Sequence, residues 1–458
     1  MGRFCRQRKT RLMVKTSLTR AARAAIVLCA TLGLASLAQA QSLSEMVALA
    51  RAYDAPWQSA RAQFDAAGSR AEQARAGLLP TVGLSAGASY AQTEVTRPPI
   101  DLNAPTQQVG VNATQPLYRP ANRIAFEQGQ RSVAIAQAQL DAASQDLLVR
   151  VSQAYFDVLA AQDTLAFVQA QKAAVTEQRA AAQRNFEVGT ATITDSREAQ
   201  ARFDLVAAQE IAAENDLRVK RLALDQLVGR AGTAPLPLKQ PVQLPTVLPA
   251  DVNTWVRTAE DQQPQVRQAA IALDVAELET RKAETGHLPT VDLQAGYAVV
   301  RNPRGTVTTP GLNSRTNNAT VGVALTLPLF AGFAVQNRVK ETLSLEEKAR
   351  ADLENARRSV AQATRTAFFG VQSGQSQVAA LQAAEASSQS ALEANQLGYQ
   401  VGVRINIDVL NAQSQLFQTR RDLAQARYNV LMGGLRLKQA AGTLTDQDVN
   451  ALDALLVR

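Results

Sequence analysis

The chain repeats a series of short motifs at an offset of about 210 residues. The segment Leu79–Val82 returns unchanged as Leu288–Val291, and Phe186–Gly189 returns in similar form as Tyr399–Gly402. A tandem repeat this long predicts two similar supersecondary units that lie side by side. In each unit the residue pattern predicts a helix, two strands, a very long helix, a turn and a further helix.

The first 40 residues have the composition of a secretory signal peptide. They carry basic residues and no acids, an apolar run over 24–37 and a small-x-small cleavage site at Ala38–Ala40. Eight of the 48 Lys and Arg residues belong to this segment, so 40 basic residues remain against 40 Asp and Glu. We therefore expect an exported protein of nearly neutral charge, without an electrostatic basis for nucleic-acid binding.

The sequence offers no cluster of residues for catalysis or metal binding. Both cysteines, Cys5 and Cys29, lie in the signal segment, which excludes a disulfide or a thiolate metal site in the mature chain. The only histidine, His287, lies at a predicted helix-to-strand junction, and we interpret it as structural. No Gly-rich phosphate loop is present. We therefore expect no enzyme activity, no metal and no cofactor. After the signal segment, the sequence contains no apolar run long enough for a transmembrane helix.

Two pairs of alternating segments predict β-strands with one apolar and one polar face. The four predicted strands are 81–90, 108–114, 291–299 and 321–329. A loop is predicted at 93–105 within the first pair and at 302–318 within the second. Each strand is about ten residues long, which is the length of a tilted transmembrane strand.

Two proline-free blocks predict very long helices. No proline occurs from Ala121 to Val228 or from Ala331 to the C-terminus, and an interior proline would break a helix. Apolar residues recur every seven positions in both blocks, as in the seam of a coiled coil. The first seam contains Leu140, Leu147, Ala154, Ala161, Val168 and Val175, and the second contains Leu353, Val360, Ala367, Gly374 and Leu381.

These patterns divide the chain into a signal peptide, two structural repeats, a proline-rich linker between them and a short C-terminal segment. The corresponding boundaries are 1–40 for the signal peptide, 42–229 for the first repeat, 230–255 for the linker, 256–444 for the second repeat and 445–458 for the C-terminal segment. The predicted fold is mainly α, an antiparallel coiled-coil α-barrel with a membrane β part.

The number of strands predicts an oligomer if the sheet lies in lipid. One chain supplies four strands, which cannot close, and an open sheet edge in lipid leaves backbone groups unpaired. Two chains would supply 8 strands, too few for a wide opening, whereas three would supply 12. Alternation alone is equally compatible with a soluble sheet that has one wet face. The export signal and the repeated strand pairs favour the membrane barrel.

The order of these motifs resembles the TolC family of trimeric outer-membrane efflux channels over essentially the whole mature length. The matching motifs are Leu79–Pro80, Gln115–Tyr118, Gln153–Phe156, Tyr399–Gly402, Asp408–Leu410, Ala426–Asn429 and Gly442–Leu444. The resemblance implies a homotrimer whose 12-strand barrel in the lipid bilayer continues as a 12-helix periplasmic cylinder. It also implies a periplasmic adaptor protein and an inner-membrane ABC or proton-driven pump as partners, in drug efflux or type I secretion.

The resemblance assigns roles to the turns that join each long helix to the next helix. The turns Val188-Gly189-Thr190 and Val401-Gly402-Val403 are expected to contact the adaptor, although glycine after a helix end is also ordinary capping. The residues expected to form a periplasmic gate are Thr194, Asp195, Tyr399, Arg404, Asp408 and Asn411.

Within this expected gate, Asp408 matches an acid that forms a ring of three carboxylates in the family, and such rings bind cations. Arg404 is expected to pair with Asp195 of the neighbouring hairpin. Asn411 stands where a second acid is expected, which predicts weak block by multivalent cations. The alternative is that the acids only cap helices, because Asp195 and Glu198 have the spacing of a capping box.

Two other classes of protein share part of this pattern. A periplasmic adaptor also contains a long coiled-coil hairpin, but it would carry a lipoyl-like β-module and one hairpin per chain. A soluble structural coiled-coil protein would have no pore at all. The two hairpins and the two strand pairs favour an outer-membrane channel over both alternatives.

Overall fold

The computed structural model describes residues 41–97, 99–242, 244–306 and 308–457, so the predicted signal peptide lies outside the described residues. The first half contains α1 (Leu43–Tyr53), α2 (Ala55–Ala76), β1 (Thr81–Thr96), β2 (Pro99–Tyr118), α3 (Pro120–Glu187) and α4 (Ile193–Val228). The second half contains α5 (Val252–Gln262), α6 (Pro264–Glu284), β3 (Thr290–Asn302), β4 (Gly305–Thr306), β5 (Thr309–Pro310), β6 (Ser314–Thr326), α7 (Ala334–Gln400), α8 (Asn406–Ala440) and α9 (Asp446–Asp453). Apart from the small hairpin β4–β5, the final helix α9 and a 3-10 turn before β3, the two halves have the same order of elements.

The strands form one antiparallel sheet in the order β1-β2-β3-β6. Leu84 lies opposite Val111, which lies opposite Tyr297, so these three side chains share one face of the sheet. The apolar residues of β6 join the same face, because Val323 lies opposite Leu293. This face is open in the single chain, with Leu84 75% exposed. The sheet therefore presents an exposed apolar surface on one side and small or polar residues on the other.

The predicted loop at 93–105 is wrong, because β1 and β2 continue in register to a pair between Thr96 and Pro99. The loop was predicted from the prolines in this segment. β2 pairs with β3 only from Gln107 onward, so Pro99 and Pro105 lie where β2 has a single neighbour. A missing N–H is tolerated on such an open edge. The second predicted loop is shorter than expected, since β6 already begins at Ser314.

The two long helices span 68 residues in α3 and 67 residues in α7, which corresponds to about 100 Å each. Their predicted seams are buried, as at Leu147 and Val168 in α3 and at Val360 in α7. α3 packs against α2 and α6 near the sheet and against α4 and α8 farther along, and α7 packs against α6 and α8. The helices therefore form a single layer, with α2 and α4 at one edge and α7 at the other. Among the described residues, no helix has the length and apolarity needed to cross a membrane.

The core is largest where the linker crosses the helices. Tyr155 of α3 is fully buried there together with residues of α1, α8 and α9. Its hydroxyl accepts a hydrogen bond from the backbone N–H of Leu236 at 2.8 Å, and the carbonyl oxygens of Gln41 and Leu236 lie 3.1 Å away as acceptors. One phenol thus ties the linker and the start of the described chain to the long helix.

A partly buried ion pair fixes the start of α2 against α3. Asp54 caps α2 by accepting from the N–H of Trp57 at 3.0 Å, and the guanidinium of Arg150 donates to both of its carboxylate oxygens at 2.8 and 2.9 Å. These hydrogen bonds from Arg150 are the main reason that the pKa of Asp54 lies below its usual range. Arg150 also donates to Asp146 at 2.6 Å.

Asp54→Asn is expected to lower the stability at pH 7 by about 2 kcal/mol, because charge-assisted hydrogen bonds are lost while the asparagine keeps the cap. A lowered pKa means that the contribution is complete above the unfolded-state value of about 3.9 and disappears as the pH falls through the folded-state value. Thermal unfolding followed by circular dichroism from pH 7 to pH 3 measures this. The difference in melting temperature between wild type and variant should begin to narrow below about pH 4, and a difference that stays constant down to about pH 3 would contradict the assignment.

Candidate functional site

The turns at the far ends of the two long hairpins have the same backbone structure. In the first turn, Gly189 has a φ of +79° and the N–H of Thr190 donates to the carbonyl of Asn185 at 2.8 Å. In the second, Gly402 has a φ of +80° and the N–H of Val403 donates to the carbonyl of Gly398 at 2.9 Å. Both are Schellman caps, in which glycine takes the left-handed position at low cost.

Each turn exposes apolar side chains at its tip. Val188 is 72% exposed, Val401 is 64% exposed and Val403 is 76% exposed. Valine at the end of an exposed hairpin gains nothing from burial within its own chain. The two tips, defined here as residues 188–190 and 401–403, therefore carry similar small apolar surfaces that are exposed in the single chain.

The predicted capping box of Asp195 with Glu198 is wrong, because Asp195 closes the box itself. The N–H of Asp195 donates to Oγ1 of Thr192 at 3.2 Å, and the N–H of Thr192 donates to Oδ2 of Asp195 at 2.9 Å. Asp195 therefore occupies the third position of α4, not its cap, and Thr194 is exposed in the same first turn. In the single chain, the carboxylate of Asp195 accepts the hydrogen bond of this capping box.

Asp408 lies in the first turn of α8, where the helix dipole favours an acid. In the described part of the single chain its ionic partner is Arg404, with 3.6 Å between Nη1 of Arg404 and Oδ2 of Asp408. The expected pair of Arg404 with Asp195 is thus not formed within one chain. Arg404 also packs closely under the last turn of α7, since a Cβ at Gly398 would lie 2.7 Å from its Cγ.

Asn411 accepts a hydrogen bond from Nη2 of Arg202 at 2.8 Å. The position one turn beyond Asp408 therefore carries a neutral amide with a guanidinium beside it. The guanidinium of Arg202 thus adds a positive charge at this position. The weak block by multivalent cations stays a prediction.

A row of polar side chains on α3 joins the two hairpins, and the sequence analysis missed it. The row consists of Gln171, Gln178 and Asn185. Asn185 donates to the hydroxyl of Tyr399 at 3.4 Å, and Gln178 donates to the side-chain oxygen of Asn406. Gln171 accepts from Arg421 at 3.4 Å. The seven-residue spacing is the signal that could have revealed the row, because residues seven apart share one face of a long helix.

Asn406 is the centre of this contact between the hairpins. Its side chain is fully buried, and its amide nitrogen lies 3.5 Å from the backbone oxygen of Asp195. A buried amide is costly unless it is hydrogen-bonded, so any movement of α8 away from α3 and α4 has to break these bonds. Near the tips, the two hairpins are therefore connected by hydrogen bonds that can be exchanged for others. The apolar seam continues from there along the helices towards the sheet.

His287 lies in the 3-10 turn of residues Thr285–His287 between α6 and β3, which confirms its predicted position at a helix-to-strand junction. Asp292, two residues into β3, pairs with Arg119 at the start of α3, with 2.7 Å between Nε and Oδ1. This pair joins the polar side of the sheet to the helical layer. The sequence analysis did not identify it.

Comparisons with known proteins match the chain over most of its length. The family model described as "Outer membrane efflux protein" matches residues 46–230 and 255–443. The chain is 33% identical to outer membrane protein TolC of Escherichia coli over 430 residues, which cover 93% of this chain and 87% of that protein. It is 31% identical to the proteases secretion protein PrtF of Dickeya chrysanthemi over 447 residues, covering 94% and 95% of the two chains.

Solved structures give the same result for the fold. The outer membrane protein VceC of Vibrio cholerae superposes with a TM-score of 0.76 at 19% identity, covering 87% of this chain and 96% of that one. The CmeC outer membrane channel of Campylobacter jejuni superposes with a TM-score of 0.74 at 18% identity, covering 91% and 90%. The predicted fold class, mainly α with a β part, is confirmed.

Proposed function

Because this chain belongs to the outer membrane efflux protein family, we propose that three copies of it form a passive conduit through the outer membrane, by which small toxic molecules or secreted polypeptides leave the cell. The observation that carries this proposal is the four-stranded sheet, whose apolar face is exposed in the single chain. A soluble protein rarely exposes an apolar surface of this kind. Contact with the lipid tails of a membrane would keep this surface away from water.

The edges of the chain support a closed ring of copies. β1 and β6 are the outer strands of the sheet, and their outward backbone groups have no place in lipid unless another strand pairs with them. Pairing β6 of one copy with β1 of the next closes a barrel of 12 strands in a trimer. The helical layer also has two open edges, with α2 and α4 at one edge and α7 at the other. The same threefold rotation that pairs β6 with β1 would therefore also pack α7 of one copy against α2 and α4 of the next.

The hairpin tips support a gate and a docking site for a periplasmic adaptor. The exposed valines of residues 188–190 and 401–403 suit the apolar end of another helical hairpin. Asp408 of each copy would form a ring at the narrow end, with Thr194 and Tyr399 nearby and Arg404 available to pair with Asp195 of the adjacent hairpin. Opening would then exchange ionic and amide contacts and leave the apolar seams intact.

The conduit itself performs no catalysis. The sequence lacks a phosphate-binding loop, so energy comes from an inner-membrane partner, an ABC exporter or a proton-driven pump. The similarity to a proteases secretion protein supports polypeptide cargo, and the match to the efflux family supports small molecules. The wide duct that three copies enclose suits both kinds of cargo.

The proposal is tested by cell fractionation and by electrical recording. We expect the mature protein in the detergent-extracted outer membrane as a heat-modifiable trimer, and we expect the purified trimer to give stepwise currents in planar bilayers. A soluble periplasmic band together with silent bilayers would refute the conduit. That result would favour the alternative of a periplasmic coiled-coil adaptor or structural protein without a pore.

A further inference from the structure

A cavity of about 360 Å³ lies between the linker and the helices of the second half. It is lined by linker residues 245–248, Trp255 of α5, Val371 of α7, Leu435 of α8 and Leu452 of α9. Its volume is in the range of small-molecule sites, and its lining is mostly apolar, as such sites are. It lies about 40 Å along α8 from Asp408, so it is separate from the gate.

The polar groups around this cavity are already satisfied by each other. The indole N–H of Trp255 donates to the carbonyl of Pro249 at 2.8 Å. At the rim, the ammonium of Lys438 donates to the carboxylate of Asp448 at 2.5 Å. The cavity therefore offers an aromatic ring and aliphatic side chains but no unpaired charge, which selects against charged ligands.

Gly434 makes this space different from ordinary close packing. A Cβ at the neighbouring Gly433 would lie 3.0 Å from Cγ2 of Val371, so the lack of a side chain at Gly433 allows α7 and α8 to pack closely. A Cβ at Gly434 would meet no atom within 4 Å, although Gly434 lines the cavity. No side chain of the described chain fills this space, so a larger residue at position 434 would extend into the cavity.

We propose that this cavity binds one small uncharged aromatic molecule per chain, in contact with the exposed part of Trp255 and lying over Gly434. An apolar lining of this kind favours apolar ligands. Trp255 favours an aromatic ligand, because contacts between aromatic rings add to the gain from burial.

The test uses the purified full-length trimer in an amphipathic polymer, with N-phenyl-1-naphthylamine as the probe. The chain has two tryptophans, so Trp57→Phe leaves Trp255 as the only indole. In this background we expect the probe to quench Trp255 fluorescence in a saturable manner, with one site per chain. Quenching that grows linearly with probe concentration and never saturates would overturn the proposal.

A second experiment fills the cavity with a larger side chain. Gly434→Leu is expected to weaken probe binding at least about tenfold, because its side chain occupies the space the ligand needs. Gln425→Leu is the matched control, since Gln425 lies on the exposed surface of the same helix and does not line the cavity, and it should bind the probe like wild type. Equal binding by both leucine variants would place the probe outside the cavity and reject the site. If Gly434→Leu does not assemble, saturation at Trp255 decides alone.

Discussion

Leu84→Arg is expected to remove the protein from the outer membrane. Leu84 lies on the exposed apolar face of the sheet, and arginine on the lipid side of a barrel costs about 2–4 kcal/mol near the middle of the bilayer. Three copies per barrel bring the total to about 6–12 kcal/mol, which approaches the whole stability of a typical protein. The measurement is the amount of heat-modifiable trimer in the outer-membrane fraction.

Ser85→Arg is the matched control for this experiment. Ser85 is the next residue of β1, at nearly the same depth, and its side chain points to the opposite, polar face. We expect this variant to assemble, with a change in conductance because the added charge faces the water-filled interior. Loss of the Ser85 variant with retention of the Leu84 variant would reverse the assignment of the two faces.

Arg404→Ala is expected to raise the single-channel conductance by loosening the periplasmic end. In one chain Arg404 forms an ion pair with Asp408, and in the proposed trimer it would also pair with Asp195 of the adjacent hairpin. Half-exposed ion pairs contribute at most about 1 kcal/mol each. Three equivalent pairs therefore shift the equilibrium between closed and open tips by up to about 3 kcal/mol, which is roughly a hundredfold.

Bilayer recording of the purified trimer measures this effect, and two further variants locate it. Arg404→Lys keeps the charge and should be much closer to wild type than the alanine variant. Asp408→Asn removes the partner seen within the chain, so an equal opening by both Arg404→Ala and Asp408→Asn would assign the latch to that pair. Unchanged conductance in Arg404→Ala would exclude any role of Arg404 in holding the tips closed.

In the proposed gate, the polar row on α3 would allow a few ionic groups to control the ends of the long helices. The apolar seam resists separation along the hairpins, and close to the tips Gln178 and Asn185 add hydrogen bonds to α8 and α7 beside buried apolar residues such as Leu410. Hydrogen bonds can be exchanged with water at a small net cost, whereas a separated apolar seam exposes its surface. In the proposed opening, the end of the layer that carries this polar row would separate first.

The sequence predicted the elements well because their signals are local and periodic. Alternation over a strand and the seven-residue repeat over a helix both follow from the backbone geometry of the element itself. The absence of proline from 121–228 gave the bounds of the long hairpin to within a few residues. The extent of β1 and β2 was underestimated, because tolerance of Pro105 depends on the neighbouring strand and not on the residue.

By itself the sequence determined the repeat, the strands, the coiled-coil helices and the positions of both tips. The tertiary structure alone decided which side chains meet: Arg150 with Asp54 over 96 residues, and Arg202 with Asn411 over 209 residues. The physical reason is that periodicity states which face of an element is apolar, but not which element covers it. A polar side chain finds its partner only once the packing of the helices has fixed the distance between them.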